Sequence, residues 1–257
     1  MFKTENYKNK TVVITGGTKG IGLGITKAYL SLSAKVIILA RNKPKKQIQV
    51  KGNKALFYQC NVRDNANVEE VINEVFKANK CIDVLINNAG GAPLINSLDA
   101  SMNFNNAIID LNLNSSFAVS YYVAKKMIKK SSGCVITNIS SVTATRPTPG
   151  SAAYGAAKGG LVNLTKTLAV EWAPRIRVNS IITGYIETEN SLVHYGSKKD
   201  MKAVAKTIPM KRMGTPEDIA NACIFLSSAN SSWITGTAIE VHGGGESPAY
   251  LNSAKPK

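Results

Sequence analysis

Tyr154 and Lys158 stand four residues apart in "YGAAK", with only small residues between them. On a helix both side chains project from one face, about one turn apart. A free phenol titrates near pH 10, and a cation beside it favours phenolate, so Lys158 is expected to draw the Tyr154 pKa toward working pH. Ser141, thirteen residues before Tyr154 in "NISS", ends an apolar run that reads as a strand. A loop from that strand end could bring its hydroxyl to the phenol. Such a group of three suits proton transfer at the oxygen of a carbonyl or alcohol, with Ser141 as hydrogen-bond donor to that oxygen.

A second group suits an anionic cofactor. "TGGTKGIG", Thr15 to Gly22, follows a β-branched run and opens a helical one. Gly16, Gly20 and Gly22 would let the backbone approach a pyrophosphate lying on the helix N-terminus. The next strand ends in "LARN", where an NAD site would carry an acid for the ribose hydroxyl. Here Arg41, Asn42 and Lys43 follow, and Lys19 lies inside the glycine turn. Two cations and no acid favour a 2′-phosphate, so NADP(H) is expected ahead of NAD(H). "NNAG", Asn87 to Gly90, closes a further strand with small residues that leave room for a cofactor.

These groups need strand ends to hold them. The chain alternates short apolar, β-branched runs with segments of helical spacing. Strands are expected at Lys10–Gly17, Lys35–Asn42, Ala55–Val62, Ile82–Gly90, Cys134–Ser141, Ile176–Thr183 and Thr237–Gly244. Helices are expected after Gly20, over Asn67–Ala78, over Met102–Lys130 with a break near Asp110, from Tyr154 to Trp172, and over Pro216–Ser227. The alternation implies an α/β fold, a doubly wound parallel sheet of about seven strands covered on both faces. All 257 residues read as one domain, 44% hydrophobic. Lys43–Lys54 reads as a polar connection. The segment 184–212, with its polar stretch Glu187–Lys211, reads as a substrate lid, and 243–257 as a C-terminal tail.

Composition excludes several classes. The four cysteines are scattered and there are only two histidines, so no metal site is expected. The N-terminus has no apolar leader and no apolar run is long enough for a membrane span, which points to the cytoplasm. The net charge of +16 invites an anionic partner, but Arg supplies only 6 of the 32 cations and no aromatic residues interleave with them. That pattern fits a Lys- and Asn-rich coding bias better than nucleic-acid binding.

The series "TGGTKGIG", "NNAG", "ISS", "YGAAK" and "RVNSIITG", in this order and across the whole chain, resembles the short-chain dehydrogenase/reductases. The resemblance implies a Rossmann-type sheet, a homotetramer or dimer, and hydride transfer between a nicotinamide and a carbonyl or secondary alcohol. It implies a catalytic set of Asn112, Ser141, Tyr154 and Lys158: Tyr154 as proton donor or base, Lys158 on the nicotinamide ribose, Ser141 on the carbonyl and Asn112 in the proton relay. Ser140 is given a structural role. The cofactor contacts implied are Gly16, Thr18, Lys19, Gly20, Ile21, Gly22, Arg41, Asn42, Asn61, Val62, Asn88, Ala89, Gly90, Gly184, Ile186 and Thr188, beside Tyr154 and Lys158. Substrate contacts implied are Gly91, Val142, Tyr185, Leu192 and Tyr195.

The C-terminal third resembles the 3-oxoacyl-(acyl carrier protein) reductase branch, implying an acyl thioester substrate on acyl carrier protein or CoA. Lys129, Lys130 and Arg175 are then docking candidates. A carbonyl reductase or alcohol dehydrogenase acting on a steroid, sugar or small ketone is the alternative. A non-catalytic dinucleotide sensor or nucleic-acid-binding protein is the alternative from another class. Two positions depart from the family pattern. Asn61 replaces an aspartate, and Thr183 replaces a proline, which is expected to loosen the loop after the sixth strand.

Overall fold

A computed structural model describes residues 7–129 and 133–246. Lys130 and the tail beyond Glu246 lie outside the described residues. Seven parallel strands form one sheet: β1 (Thr11–Thr15), β2 (Lys35–Ala40), β3 (Leu56–Gln59), β4 (Val84–Asn87), β5 (Cys134–Ser141), β6 (Ile176–Thr183) and β7 (Ala238–Val241). Their order is β3-β2-β1-β4-β5-β6-β7, so the winding reverses between β1 and β4. A crevice opens at such a reversal, beyond the carboxyl ends of the strands.

Successive strand residues face opposite layers, so each strand feeds two cores. Val13, Ile37, Leu85, Ile136 and Val178 pack with Val68, Ile72, Val119, Val123 and Leu168. Those partners belong to α2 (Asn65–Asn79), α4 (Ser115–Met127) and α5 (Ala152–Trp172). On the other face Val12, Ile14, Val36, Ile38 and Ile86 pack with Ile25, Tyr29, Ile219 and Cys223. These come from α1 (Gly20–Ser31) and α8 (Pro216–Ser227). Gly24 of α1 touches Pro216 so closely that a Cβ would lie 2.3 Å from the proline Cβ.

Several elements differ from expectation. β1, β3, β4 and β7 are shorter than their apolar runs, because pairing stops where a turn or loop begins. The Lys43–Lys54 connection contains a two-residue antiparallel pairing, Gln49–Val50 with Asn53–Lys54. The helix expected from Met102 is α3 (Met102–Ile109), followed by a π-helical turn (Asp110–Asn114) and then α4. The polar segment after β6 is not simply a loop. It holds α6 (Ser191–Tyr195) and α7 (Lys198–Thr207). Ser197 and Asp200 form a capping box that starts α7, and Met201, Ile208 and Met213 give the segment a small core. Among the described residues no helix is long and apolar enough to cross a membrane, and no cysteine is bonded to another.

Candidate active site

The glycine turn sits at the crevice, between β1 and α1. Thr15 ends β1 with its hydroxyl oxygen accepting the amides of Asn88 and Ala89, each at 3.0 Å. The Asn88 side-chain amide donates back to the carbonyls of Thr15 (3.0 Å) and Gly16 (3.2 Å). "NNAG" therefore clamps the turn by main-chain and amide bonds. Gly16 and Gly20 have φ of +68° and +54°, which favour glycine. Gly22 serves a different purpose from the expected one. A Cβ there would lie 2.3 Å from the Gly16 oxygen and 2.5 Å from the Asn88 amide. Its small size closes the turn on itself rather than admitting a ligand. Gly20 leaves room for a Cβ, which would meet nothing closer than the Thr188 methyl at 3.7 Å.

Lys19 caps α1 without a side-chain bond to the helix. The amide of Gly20 instead donates to Glu189 Oε1 at 2.8 Å. Backbone donors at a helix start, an open glycine and a turn held rigid from behind fit the pyrophosphate of a dinucleotide. Further along the crevice, Arg41, Gln59, Asn61 and Asn67 line a cavity of about 310 Å³. Asn61 accepts from the Arg63 amide (3.3 Å) and donates its own amide to Asn67 Oδ1 (2.8 Å). Gln59 and Asn67 escaped the sequence reading, since the expected strand ran past Gln59 to Val62 and Asn67 belongs to no glycine or strand-end motif. Val62 is buried in the core, which leaves only its main chain for a ligand.

β5 ends at Ser141 and α5 carries Tyr154 and Lys158. The Ser141 hydroxyl stands near enough to the Tyr154 phenol to favour its ionised form, and the Thr143 amide holds Ser141 Oγ at 3.3 Å. Lys158 is buried. Its Nζ donates to the Ile139 carbonyl at 2.8 Å and lies 5.6 Å from the Tyr154 ring centroid. Ser140 donates to the Lys158 carbonyl at 3.1 Å, joining strand to helix. Asn112 lies in the π-turn, fully buried. Its Oδ1 accepts the Gly91 amide at 2.8 Å, and its Nδ2 donates to the carbonyls of Gly91 (3.0 Å) and Ile108 (2.9 Å). A Cβ on Gly90 would lie 2.6 Å from Asn112 Oδ1 and 3.3 Å from Lys158 Nζ. The π-turn, "NNAG" and the lysine thus meet at one point.

The expected direction of the Tyr154 pKa is corrected here. Burial pushes the phenol above its ordinary value, and the Ser141 hydroxyl only partly opposes this. Burial also lowers Lys158 to about 8. Desolvation thus favours the neutral form of both groups.

Thr183 is a second correction. Its hydroxyl donates to the Ser140 carbonyl at 2.9 Å, and the next amide, Gly184, donates to Val241 at 3.1 Å. The hydroxyl ties the strand end that proline would have held by ring geometry. Gly184 packs on His242, where a Cβ would lie 2.6 Å from the imidazole-bearing Cβ. Ile186 is buried and bridges to Gly214.

On the substrate side, Tyr185 and Tyr195 meet edge to face with ring centroids 5.8 Å apart. Burial and the neighbouring phenols of Tyr185 and Tyr154 raise Tyr195 to about 12. Arg146, absent from the expected set, donates to the Tyr185 hydroxyl at 3.0 Å and pairs with Glu246 at 2.7 Å. No motif marks Arg146, because its partners come from two distant loops. A narrow apolar groove formed by Ala92, Pro93, Ile95, Phe104 and Ile108 reaches Tyr154 from the opposite wall. Gly91 is fixed by Asn112, Val142 is buried, and Leu192 is half-exposed. Lys129 and Arg175 do not join the site. Arg175 donates to the Ile128 carbonyl, where α4 and α5 end. Those helices lead into β5 and β6, so both cations lie at the amino edge of the sheet, opposite the crevice.

A family model described as enoyl-(acyl carrier protein) reductase matches residues 16–246. A 3-oxoacyl-(acyl carrier protein) reductase of Chlamydia pneumoniae is 36% identical over 242 residues, covering 91% of this chain and 96% of that protein. A short chain dehydrogenase of Bacillus anthracis superposes with a TM-score of 0.86 at 34% identity, covering 96% of this chain and all of its own. The ligand-free aldohexose dehydrogenase of Thermoplasma acidophilum gives a TM-score of 0.86 at 32% identity, covering 98% and 97%. With its seven-stranded parallel sheet and this run of relatives, the chain belongs to the short-chain dehydrogenase/reductase family, oxidoreductases that use a nicotinamide cofactor on carbonyl and alcohol groups.

Proposed function

We propose that this chain is an NADP(H)-dependent reductase of 3-oxoacyl thioesters. The buried Lys158 ammonium set against the Tyr154 ring, with Ser141 at the neighbouring strand end on the carboxyl edge of the sheet, is the observation that carries the reading. The cofactor supplies the hydride. Ser141 donates a hydrogen bond to the substrate carbonyl oxygen, and Tyr154 delivers the proton to that same oxygen. Lys158 binds the ribose hydroxyls and restores the proton to Tyr154. Asn112 holds Gly91 and thereby the wall beside Lys158.

Gly20 and its neighbours at the α1 N-terminus hold the pyrophosphate, with Asn88, Ala89 and Gly90 packed behind them. Thr18, Lys19 and Ile21 complete that turn. Gly184, Ile186 and Thr188 flank the nicotinamide. Arg41, supported by the open cavity it shares with Asn61, reads the 2′-phosphate. Segment 184–212 serves as the lid, with Tyr185 and Tyr195 toward the substrate. Exposed apolar side chains on α4 and α5, Phe117, Tyr121 and Val170, support a homotetramer. Four free cysteines suit a reducing cytoplasm.

A second reading, a dehydrogenase of sugars or small hydroxylated ketones, is favoured by the polar cluster of Arg146, Glu246 and Tyr185 beside the cleft. One assay separates the two. Initial rates are measured with acetoacetyl-CoA and NADPH or NADH, and with aldohexoses and NADP⁺ or NAD⁺. Fast acetoacetyl-CoA reduction with NADPH supports the thioester reading. Turnover of sugars alone replaces it with the second. In the same assay Arg41→Ala is expected to weaken NADPH far more than NADH, and an equal loss would remove Arg41 from the 2′-phosphate.

A further inference from the structure

We infer that Glu189 is a latch on the cofactor site: its carboxylate holds the place of the cofactor's pyrophosphate and must leave before a dinucleotide can bind. This rests on the reading that the glycine turn binds a dinucleotide. The Gly20 amide donates to Glu189 Oε1 at 2.8 Å. Gly20 opens α1 with a φ of +54°, and no side chain of Lys19 competes for the helix start. A carboxylate at a helix N-terminus satisfies an orphan donor and complements the helix dipole, as a phosphate does. Both are anions aimed at one donor, so they exclude each other.

The second observation is how Glu189 gets there. It comes from a segment 169 residues away in sequence. A Cβ on Gly20 would lie 3.7 Å from the methyl of Thr188, the residue before Glu189. The Thr188 amide donates to Ser191 Oγ at 2.7 Å, and the Ser191 amide to the Thr188 carbonyl at 3.1 Å. That pair of bonds ties Glu189 to the start of α6, whose last residue, Tyr195, packs on Tyr185. The Glu189 carboxylate thereby joins the glycine turn to the segment that carries the aromatic wall of the substrate cleft.

A protein held mostly in a closed form binds its ligand with an affinity reduced by the open fraction. An exposed carboxylate at a helix start shifts that balance modestly. Removing it is expected to tighten binding by about two- to fivefold. The experiment measures dissociation constants of the full chain for NADPH, NADH and ADP, with adenosine as the ligand that lacks phosphate. Wild type, Glu189→Gln and Glu189→Ala are compared by calorimetry and by nicotinamide fluorescence. Tighter NADPH, NADH and ADP with unchanged adenosine is the expected result for both variants. Unchanged or weaker ADP and dinucleotide binding overturns the latch while leaving the cofactor reading intact. A gain that extends equally to adenosine also overturns it, because the effect would not be at the phosphates. Failure of wild type and both variants to bind any dinucleotide overturns the latch and the cofactor reading together. Glu189→Gln keeps the shape of the side chain, so it answers the question even if the alanine variant folds poorly.

Discussion

The cofactor half and the substrate half of the crevice are built by different means. The cofactor half hangs on strand ends: Thr15, Gly16, Asn88 and Ala89 lock two neighbouring strands with four bonds of 3.0–3.2 Å. Each of these bonds has a main-chain partner, and the glycines are required by positive φ at Gly16 and Gly20 and by close approach at Gly22. The substrate half is a meeting of side chains from remote segments. Arg146 follows β5, Tyr185 follows β6, Tyr195 ends α6 and Glu246 lies past β7. Backbone held by a sheet is set by register, whereas a side-chain cluster is set by whichever loops arrive. Such a division lets one scaffold keep its cofactor while its substrate changes.

Tyr154 stands at the seam between the halves, and Tyr154→Phe separates them most sharply. Turnover is expected to fall by about 10²–10⁴-fold, while cofactor affinity measured by fluorescence titration stays within a few-fold. Retained turnover would take the proton role away from Tyr154. Burial of the phenol also sets the pH profile: reduction needs protonated Tyr154 and is expected to hold through neutral pH, while oxidation needs it deprotonated and rises with pH.

Lys158, beneath the seam, is expected to weaken the fold at neutral pH. Its pKa is about 8 in the folded chain against 10.5 in the reference state. Below pH 8 both states hold the proton and the burial penalty is complete. Between the two values the unfolded chain binds more protons, so stability rises with pH, by about 3 kcal/mol across the window. Denaturant midpoints of wild type and Lys158→Met, without ligand at pH 7, 8.5 and 10, test this. The wild type is expected to gain on the variant as pH rises, and a constant gap would show that Lys158 does not titrate there.

Gly22→Ala breaks the cofactor half alone. The new Cβ meets the Gly16 carbonyl and Asn88, which is expected to cost about 1–3 kcal/mol of stability and most dinucleotide binding. Normal binding in a fully folded variant would mean the clamp behind the turn is dispensable. Arg146→Ala probes the other half with the smallest effect. Its pair with Glu246 is partly exposed, at 34% and 26% for the two side chains, so KM is expected to rise about two- to fivefold. Cofactor affinity should not move; if it does, the two halves are coupled through Arg146.

The difference between the halves also explains what could be read from the chain. Alternating apolar runs and helical spacing were enough for the parallel sheet, because burial on both faces demands that pattern. "YGAAK", "NISS" and the glycine turn were legible because each is local, with spacing that carries its geometry. The break at Asp110 was expected, but its purpose, placing Asn112 on Gly91, needs two loops to meet. The helices α6 and α7 were passed over as polar segment, although Ser197 and Asp200 carried a capping signal.

Alone, the amino-acid order determined the layers of the fold, the glycine turn after β1 and the residue types and spacing of "NISS" and "YGAAK". Each depends on neighbours within a few residues or on periodicity along one element. Tertiary structure decided the direction in which the Tyr154 pKa moves, since burial outweighs the pull of the Ser141 hydroxyl. It decided that Thr183 tightens rather than loosens the loop. It also decided that Lys129 and Arg175 face away from the crevice, that Arg146 and Glu246 face each other, and that Glu189 reaches Gly20. The physical reason is common to all five. Desolvation and contact depend on what the chain brings back from far along its length, and sequence spacing carries no record of that return.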